Sequence, residues 1–525
     1  MVRNCAFIQL LADEDKGAAL IDTINKQKTG VLSSAFFPIA PEKFSMVPGS
    51  PFAYWVSDKI RRLFLDLPTF EGNGRTVKQG IATADDFRFV RAWWEVDPSQ
   101  IVSGTPGTTP DEFRSQTFNG RKWAPFAKGG EYSPYYADLH LVLNWERDGE
   151  EIRNFIDPSS GKVLSRPQNT EYYFQPGLTY PRRLHRLAVM PLPKGSIISV
   201  RGSGIFTEFD DISITAALFS SKIFDFLVKT MLGRFNHPQF DNGTLCYTPI
   251  PSNFYNNSNE LKEIIEQSIK LKQNIDSFDE ITHSFIIYGD LFKNIISNIQ
   301  IFEDQNKKIR STNNQILFNQ EKIDSIINSL YQLSSDEIEC INKYIKTGDV
   351  SKGLIPNTGA PINTAIYLIS YIFGSIFGRW DIRFATGEKE PPELPDPFAP
   401  LPACSPGMLQ GEDGLPLEPH EIPADYPLEV DADGILVDDE GHSDDIIARI
   451  RDVITVVWGD RADAIEKEAC DILAVKSLWD YFRKPTAGGF WDDHVKRYSK
   501  SRRKAPIYWL LQSAKKNYAI WIYYP

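Results

Sequence analysis

Between Asn259 and about Lys346 the apolar positions recur at helical spacing: in "ELKEIIEQSIKLKQNI" Leu261, Ile264, Ile265, Ile269 and Leu271 fall near one face. A pair of long helices, packed on each other or on a partner, is predicted within a spacer of residues 251–350. The asparagines along it (Asn294, Asn298, Asn306, Asn313, Asn314 and Asn319) argue against a strict heptad coiled coil. Upstream, from about 75 to 250, the runs are short and β-type: "FRFVRAWWEV", "LHLVLNW", "SIISVRG" and "ISITAALF", with turn formers "KGG", "RDGEE" and "LPKGS" between them. That pattern predicts a compact, mostly β domain with a few helices. Residues 1–74 read as an α/β end-piece and connector, closing on "VPGSPFAYWVSDKI". "AIYLISYIFGSIF" (365–377) has 13 residues where a bilayer span needs about 20, so a buried helix is predicted within 351–380. Helical spacing returns at "DDIIARIRDVITVVW" and runs into a basic, aromatic region, 446–525. The fold class is therefore α+β: a mixed, mostly β domain, a long-helix spacer and a helical C-terminal region.

Charge changes this picture at one place. The 525 residues carry a net charge of −12, but residues 381–445 hold 18 acidic residues against 2 basic ones, and the rest of the chain sums to +4. The same segment holds 11 of the 35 prolines, which together with like-charge crowding predicts an irregular wrap or linker. Five scattered cysteines with no C-x-x-C pair and no His at ligand spacing argue against a disulfide framework and a zinc site, and point to a reducing cytoplasm. The N-terminal stretch meets Asp and Glu before any apolar run of signal-peptide length.

Candidate chemistry is confined to a few places. Phe70–Gly74, "FEGNG", fits the F-x-G-x-G loop that holds S-adenosylmethionine in many methyltransferases. Such a loop needs a strand before it, for which "RRLFLDLPTF" could pass, and a helix then an acidic strand after it. The next residues are instead "RTVKQGIATADD", rich in turn formers, so a connecting surface loop is expected. Between Glu171 and Glu208 no acidic residue occurs, while Arg182, Arg183, Arg186, Lys194 and Arg201 accumulate around His185. Such cations supply phosphate contacts, and Arg can fork onto guanine; a solvated face or an inter-domain contact is the alternative. "KRYSKSRRK" (496–504) holds six cations in nine residues, suited to phosphate or to docking on the acidic 381–445 segment. Adjacent Asp492, Asp493 and His494 cannot converge on one metal without a special turn, and "TPDEFR" lacks the following strand of a nuclease centre. Seven unclustered histidines allow no Ser-His-Asp or Cys-His assignment.

Several long strings occur together in a known order: "PGSPFAYWVSD", "QGIATADDFRFVRAWWEV", "KWAPFAKGGEYSPYYADLHLVLNWERDGEEIRN", "YYFQPGLTYPRR" and "LPKGSIISVRGSGIF", then "IIARIRDVITVVWGDRADAIEKEACDIL", "DYFRKP" and "DHVKRYSKSRRKAPIYWLLQSAKKNYAIWIYY". They resemble the part C-terminal to the catalytic domain in large adenine-specific DNA methyltransferases, the Type IIG-like enzymes and those of the BREX and DISARM phage-defence systems. The resemblance covers nearly the whole chain. In that family an N-terminal domain binds S-adenosylmethionine and methylates the adenine amino group through an Asn-Pro-Pro-Tyr loop, and a target recognition domain and helical spacer read the sequence.

The resemblance implies a DNA-recognition and spacer portion: recognition domain 75–250, spacer 251–350, C-terminal region clasping the DNA or closing on the spacer. The start at "MVRNCAFIQL" resembles the far edge of the methylase domain, and "IWIYYP" lies where the family continues. The only Pro-Pro, Pro391-Pro392, stands between Glu390 and Glu393, so neither catalytic residues nor a cofactor or metal site are expected in this chain; S-adenosylmethionine belongs to the full enzyme. Lys78, Thr83, Asp85 and Arg88 fall in a loop similar to the family's Gly-x-x-Thr-Gly-x-x-x-x-Phe motif, with Ala84 where a Gly is usual and Phe87 beside the expected Asn position. A DNA contact or a structural role is expected there. The expected DNA-binding set is Lys78, Thr83, Arg88, Arg182, Arg183, Arg186, Lys194, Lys496, Arg497, Arg502, Arg503 and Lys504. The expected partners are double-stranded DNA and a methylase domain in cis or in trans, with no membrane. The rival readings are an active methyltransferase with divergent motifs using Phe70–Gly74, a separate specificity subunit, the remnant of a broken gene, and an interaction scaffold in a defence complex.

Overall fold

A computed structural model describes residues 5–10, 13–31, 33–235, 238–256, 259–287, 299–345, 364–500, 502–515 and 518–524. Strands β1 (Cys5–Ile8) and β2 (Phe36–Ile39) pair antiparallel around the helix Lys16–Lys28, which Asp15 caps. The turn-punctuated region then forms eight strands: β3 (Thr76–Lys78), β4 (Val90–Ala92), β5 (Trp123–Ala127), β6 (Leu141–Asn144), β7 (Gly177–Pro181), β8 (Met190–Leu192), β9 (Ile197–Ile198) and β10 (Gly202–Phe206). They make two four-stranded sheets, ordered β3-β10-β7-β8 and β4-β6-β5-β9, antiparallel except for β5 with β9. Between them Phe89, Phe113, Trp145, Phe174, Ile197 and Phe206 form one buried cluster.

Two short apolar runs fold differently from expectation. "ISITAALF" is a helix, Ile212–Ser220, with every residue buried. A continuous apolar run carries no period that separates a buried strand from a buried helix. "RRLFLDLPTF" contributes to the helix Asp58–Asp66, capped by Ser57 and placing Ile60 and Leu63 inward.

The helix Asn259–Asp276 buries Leu261, Ile264, Ile265 and Ile269, with Leu271 half-buried, against Ile299–Leu330. Polar contacts cross that interface: the Asn319 amide donates to Gln267 Oε1 at 3.0 Å and to Ser268 Oγ at 3.1 Å. Such contacts fit a helix pair that is not a heptad coil. Asn294 and Asn298, and residues 351–363 of the predicted 351–380 segment, lie outside the described residues. The apolar run at 365–377 forms the buried helix Thr364–Ile376. Among the described residues no helix is long and apolar enough to cross a membrane.

The acidic 381–445 segment is mostly irregular and packs closely: Cys404, Met408, Leu428 and Leu436 are buried in the core that the helices Thr364–Ile376 and Ile446–Trp458 share. Its one strand, β11 (Ile435–Val437), joins a later sheet ordered β11-β15-β14, while β12 (Ser499–Lys500) and β13 (Arg503–Lys504) make a separate hairpin. Strands β14 (Tyr508–Gln512) and β15 (Ala519–Tyr523) complete that sheet. This C-terminal core reaches the first β region through Trp93 and Trp94, adjacent residues of a single turn. The Trp93 indole donates to the Ile281 carbonyl (2.9 Å) and that of Trp94 to the Ala505 carbonyl (2.8 Å).

Candidate nucleic-acid interface

The loop between β3 and β4 is fixed along its length. Gly80 and Ile81 donate to the carbonyls of Ser199 (3.2 Å) and Ile198 (3.0 Å), and Ala82 exchanges two backbone hydrogen bonds with Arg166. Gly80 runs so close to the next segment that a Cβ would sit 1.8 Å from the Ile198 carbonyl oxygen. Buried Thr83 donates its hydroxyl to Asp86, and Lys128 pairs with the same carboxylate. Burial pushes the Asp86 carboxyl up, but Lys128 and Thr83 more than offset it, so the group sits below the usual range. Asp85 caps the short helix Asp86–Phe89 by accepting from the Arg88 backbone N–H (3.0 Å), and Phe89 anchors it in the core.

Ala84 has φ of +61°, the left-handed region, at the position where the resembled motif has glycine. An L side chain there is strained by roughly 1–2 kcal/mol. Ala84→Gly is accordingly expected to stabilise the protein by about 0.5–1 kcal/mol, after allowing for the extra unfolded-state freedom of glycine. Urea denaturation checks it, and a lowered midpoint would contradict the backbone assignment.

Cations from other segments meet this loop: Lys128 and Arg201 both lie beside Asp86. The Arg182 backbone N–H donates to the Arg201 carbonyl (3.0 Å). Arg182 pairs with Asp241 (2.6 Å) while keeping 37% of its side chain exposed; Arg183 is exposed and donates to Gln239 (3.0 Å). Arg201 is exposed. Lys78 lies 3.7 Å from Glu71 and over the Tyr172 ring, and Arg88 pairs with Glu151 (2.7 Å), half-exposed. Lys128 and the placement of Arg201 are not legible from sequence, since neither stands in a run of cations next to the loop.

Other expected contacts are placed elsewhere. Arg186 is 2% exposed and donates to the Ser220 carbonyl (2.9 Å), inside the core where no phosphate reaches it. Lys194 caps the Pro106 carbonyl (2.8 Å) from a half-buried position on another loop. Arg497 is buried on Glu280 (3.1 Å) and stacks on Tyr367, and Arg503 is held by Glu95 (2.7 Å). Lys496 is exposed and pairs with Asp492 (2.6 Å), whereas Arg502 and Lys504 are exposed with no ion pair among the described residues. The basic tail therefore docks on Glu95, Asp279 and Glu280, not on the acidic 381–445 segment.

"FEGNG" is a tight turn after a helix. Phe70 is buried against Phe219, Gly72, Asn73 and Gly74 all have positive φ, and the chain enters β3 directly. That order, helix–turn–strand, is the reverse of what a cofactor loop requires, and the segment does not fit S-adenosylmethionine. Asp492, Asp493 and His494 diverge: Asp493 accepts from the Tyr481 hydroxyl (2.9 Å), and buried His494 accepts at Nε2 from the backbone N–H groups of Ile507 and Tyr508. "TPDEFR" is a helix start with a Thr109–Glu112 capping box. The histidines do cluster at one point, contrary to what their spacing suggests. His283 Nδ1 lies 2.9 Å and His140 Nδ1 3.4 Å from buried Asp138, a convergence across residues 138 to 283 that no local pattern announces.

Nine-tenths of the chain aligns with proteins of known class. It is 26% identical over 512 residues to the adenine-specific methyltransferase BrxX of Escherichia coli O9:H4 (strain HS), and 23% identical over 504 residues to the adenine-specific methyltransferase PglX of Lacticaseibacillus casei (strain Zhang). The aligned parts are 37% and 36% of those proteins, so the chain spans little more than a third of the length of these relatives. No protein-family model matches the chain.

Proposed function

We propose that this chain, related to the BREX-type adenine-specific methyltransferases, is the sequence-reading and spacer portion of such an enzyme, bound to double-stranded DNA through the loop 79–89 and the cations around it. The observation that carries the reading is the motif-bearing loop with Lys128 and exposed Arg201 beside it, the Arg182–Arg183 segment being joined to Arg201 through the backbone. The exposed cations Arg183 and Arg201 suit phosphate contact, and a loop clamped by Gly80, Thr83 and Asp85 suits base readout, because its side chains need little ordering on binding. The helix pair Asn259–Asp276 and Ile299–Leu330 sets the distance to a methylase domain, which supplies S-adenosylmethionine and the transfer step. The exposed hairpin cations Arg502 and Lys504, with Lys78, supply further backbone contacts.

Double charge reversal, Arg182→Glu with Arg183→Glu, should weaken binding to duplex DNA and lower the slope of log affinity against log salt by about 0.9 for each phosphate no longer neutralised. An unchanged affinity and slope would remove this surface from the interface. Arg186→Lys should leave the slope untouched, since Arg186 faces the core.

A further inference from the structure

Phe87, in the short helix Asp86–Phe89, is 80% exposed in a chain that buries most of its large aromatic residues. Isolated exposed apolar residues are ordinary on protein surfaces. The setting of this one is not: the backbone on both sides is held by the Asp85 cap, by the Thr83–Asp86–Lys128 contacts and by buried Phe89. Arg91 donates from Nη1 to the Phe87 carbonyl, and its guanidinium lies 5.8 Å from the ring centroid. Arg88, Lys128 and Arg201 surround the same loop, so a polyanion drawn to the patch meets an apolar ring first. The two acidic neighbours do not oppose this, because Asp85 faces the Arg88 backbone N–H and Asp86 faces Lys128.

We infer that Phe87 is a wedge that enters the base stack of duplex DNA, with Arg91 holding the ring in place. This role rests on the DNA-binding reading and adds to it a base-stack ligand for one side chain. Apolar residues beside cations open base steps and bend the duplex in just such arrangements, and stacking on an aromatic ring is tolerant of sequence. A wedge of this kind would contribute affinity without contributing to the salt dependence, since it displaces no counterion.

The test uses the full chain with random-sequence duplex DNA carrying scattered 2-aminopurine. The wild-type chain should raise the 2-aminopurine fluorescence on binding, as unstacked bases do. Phe87→Ala should lower affinity roughly five- to hundredfold with the log–log salt slope unchanged, and should abolish the fluorescence rise. Phe87→Trp should retain both. Phe118→Ala serves as the control, because Phe118 is also exposed (59%) but sits on a loop tied through Thr117 to Arg147 and Asp148, and it should bind as wild type. A Phe87→Ala chain that binds and unstacks DNA like wild type overturns the wedge and leaves the DNA-binding reading intact. Weakened affinity with the fluorescence rise preserved likewise overturns insertion. Absence of any duplex binding by the wild-type chain overturns both.

Discussion

Gly80→Ala should destabilise the protein by about 4 kcal/mol or more, an effect in the range reserved for steric or burial failures. The cause is not backbone conformation but space. The added Cβ would lie 1.8 Å from the Ile198 carbonyl oxygen and 2.2 Å from its carbon, atoms held on one side by the Ile81 N–H and on the other by β9 pairing with β5. No side-chain rotation relieves a clash with backbone, so the loop must leave β9 or β9 must leave the sheet. Urea unfolding measures the first effect, and duplex-DNA affinity the second, since the loop carries the proposed interface. A midpoint within error of wild type would show that the loop does not lie against Ile198. Ala84→Gly, four residues away, has the opposite expected sign, so the pair tests the loop geometry more sharply than either alone.

Acid should begin to destabilise the protein above the range where carboxylates titrate. Burial drives His140 down to about 4 despite the opposing pull of Asp138, and drives His494 well below its ordinary value, reinforced by Arg497 and Arg379. Both rings are neutral in the folded state and take up protons in the unfolded chain below about 6.5. Their folded values are depressed, so the stability they contribute is fully present above about pH 6.5 and is lost as the pH falls. For His140 the loss reaches about 3 kcal/mol by pH 4, at about 1.36 kcal/mol for each unit of displacement. His494 adds to it, because its Nε2 accepts two backbone hydrogen bonds and cannot carry a proton without breaking them. The unfolding midpoint in urea should therefore drop steadily between about pH 7 and pH 5, and His140→Gln should flatten part of that decline. A midpoint independent of pH over this interval would rule the assignment out.

Periodicity and punctuation place most elements because they report the nearest neighbours of each residue. The amphipathic face of Asn259–Asp276 and the buried run at 365–377 are legible for that reason. "ISITAALF" is not, since complete burial erases the alternation on which a strand or helix assignment depends. Cationic runs mislead in a specific way: Arg186 and Arg497 look like their neighbours in sequence, but the Ser220 carbonyl and Glu280 that take them inward come from distant segments. The same distance hides the meeting of His140 and His283 at Asp138. At the candidate site, the loop is visible through its motif, and Arg182 and Arg183 through an acid-free window. Lys128 becomes significant only when the fold brings Asp86 and Arg201 beside it, and Phe87 only when the fold leaves it exposed.

The Trp93–Trp94 turn constrains biosynthesis. The hydrogen bond from Trp94 to Ala505 joins residues 411 positions apart. At about 5–20 residues per second, the ribosome adds the partner roughly 20 to 80 seconds after the tryptophan. For that interval the buried Trp94 indole lacks its hydrogen-bond partner, whereas Trp93 waits only for Ile281. The nascent protein should therefore engage holding chaperones until residues near 505 emerge, and slow arrival of this one contact, more than any local element, should set how quickly the whole assembly matures.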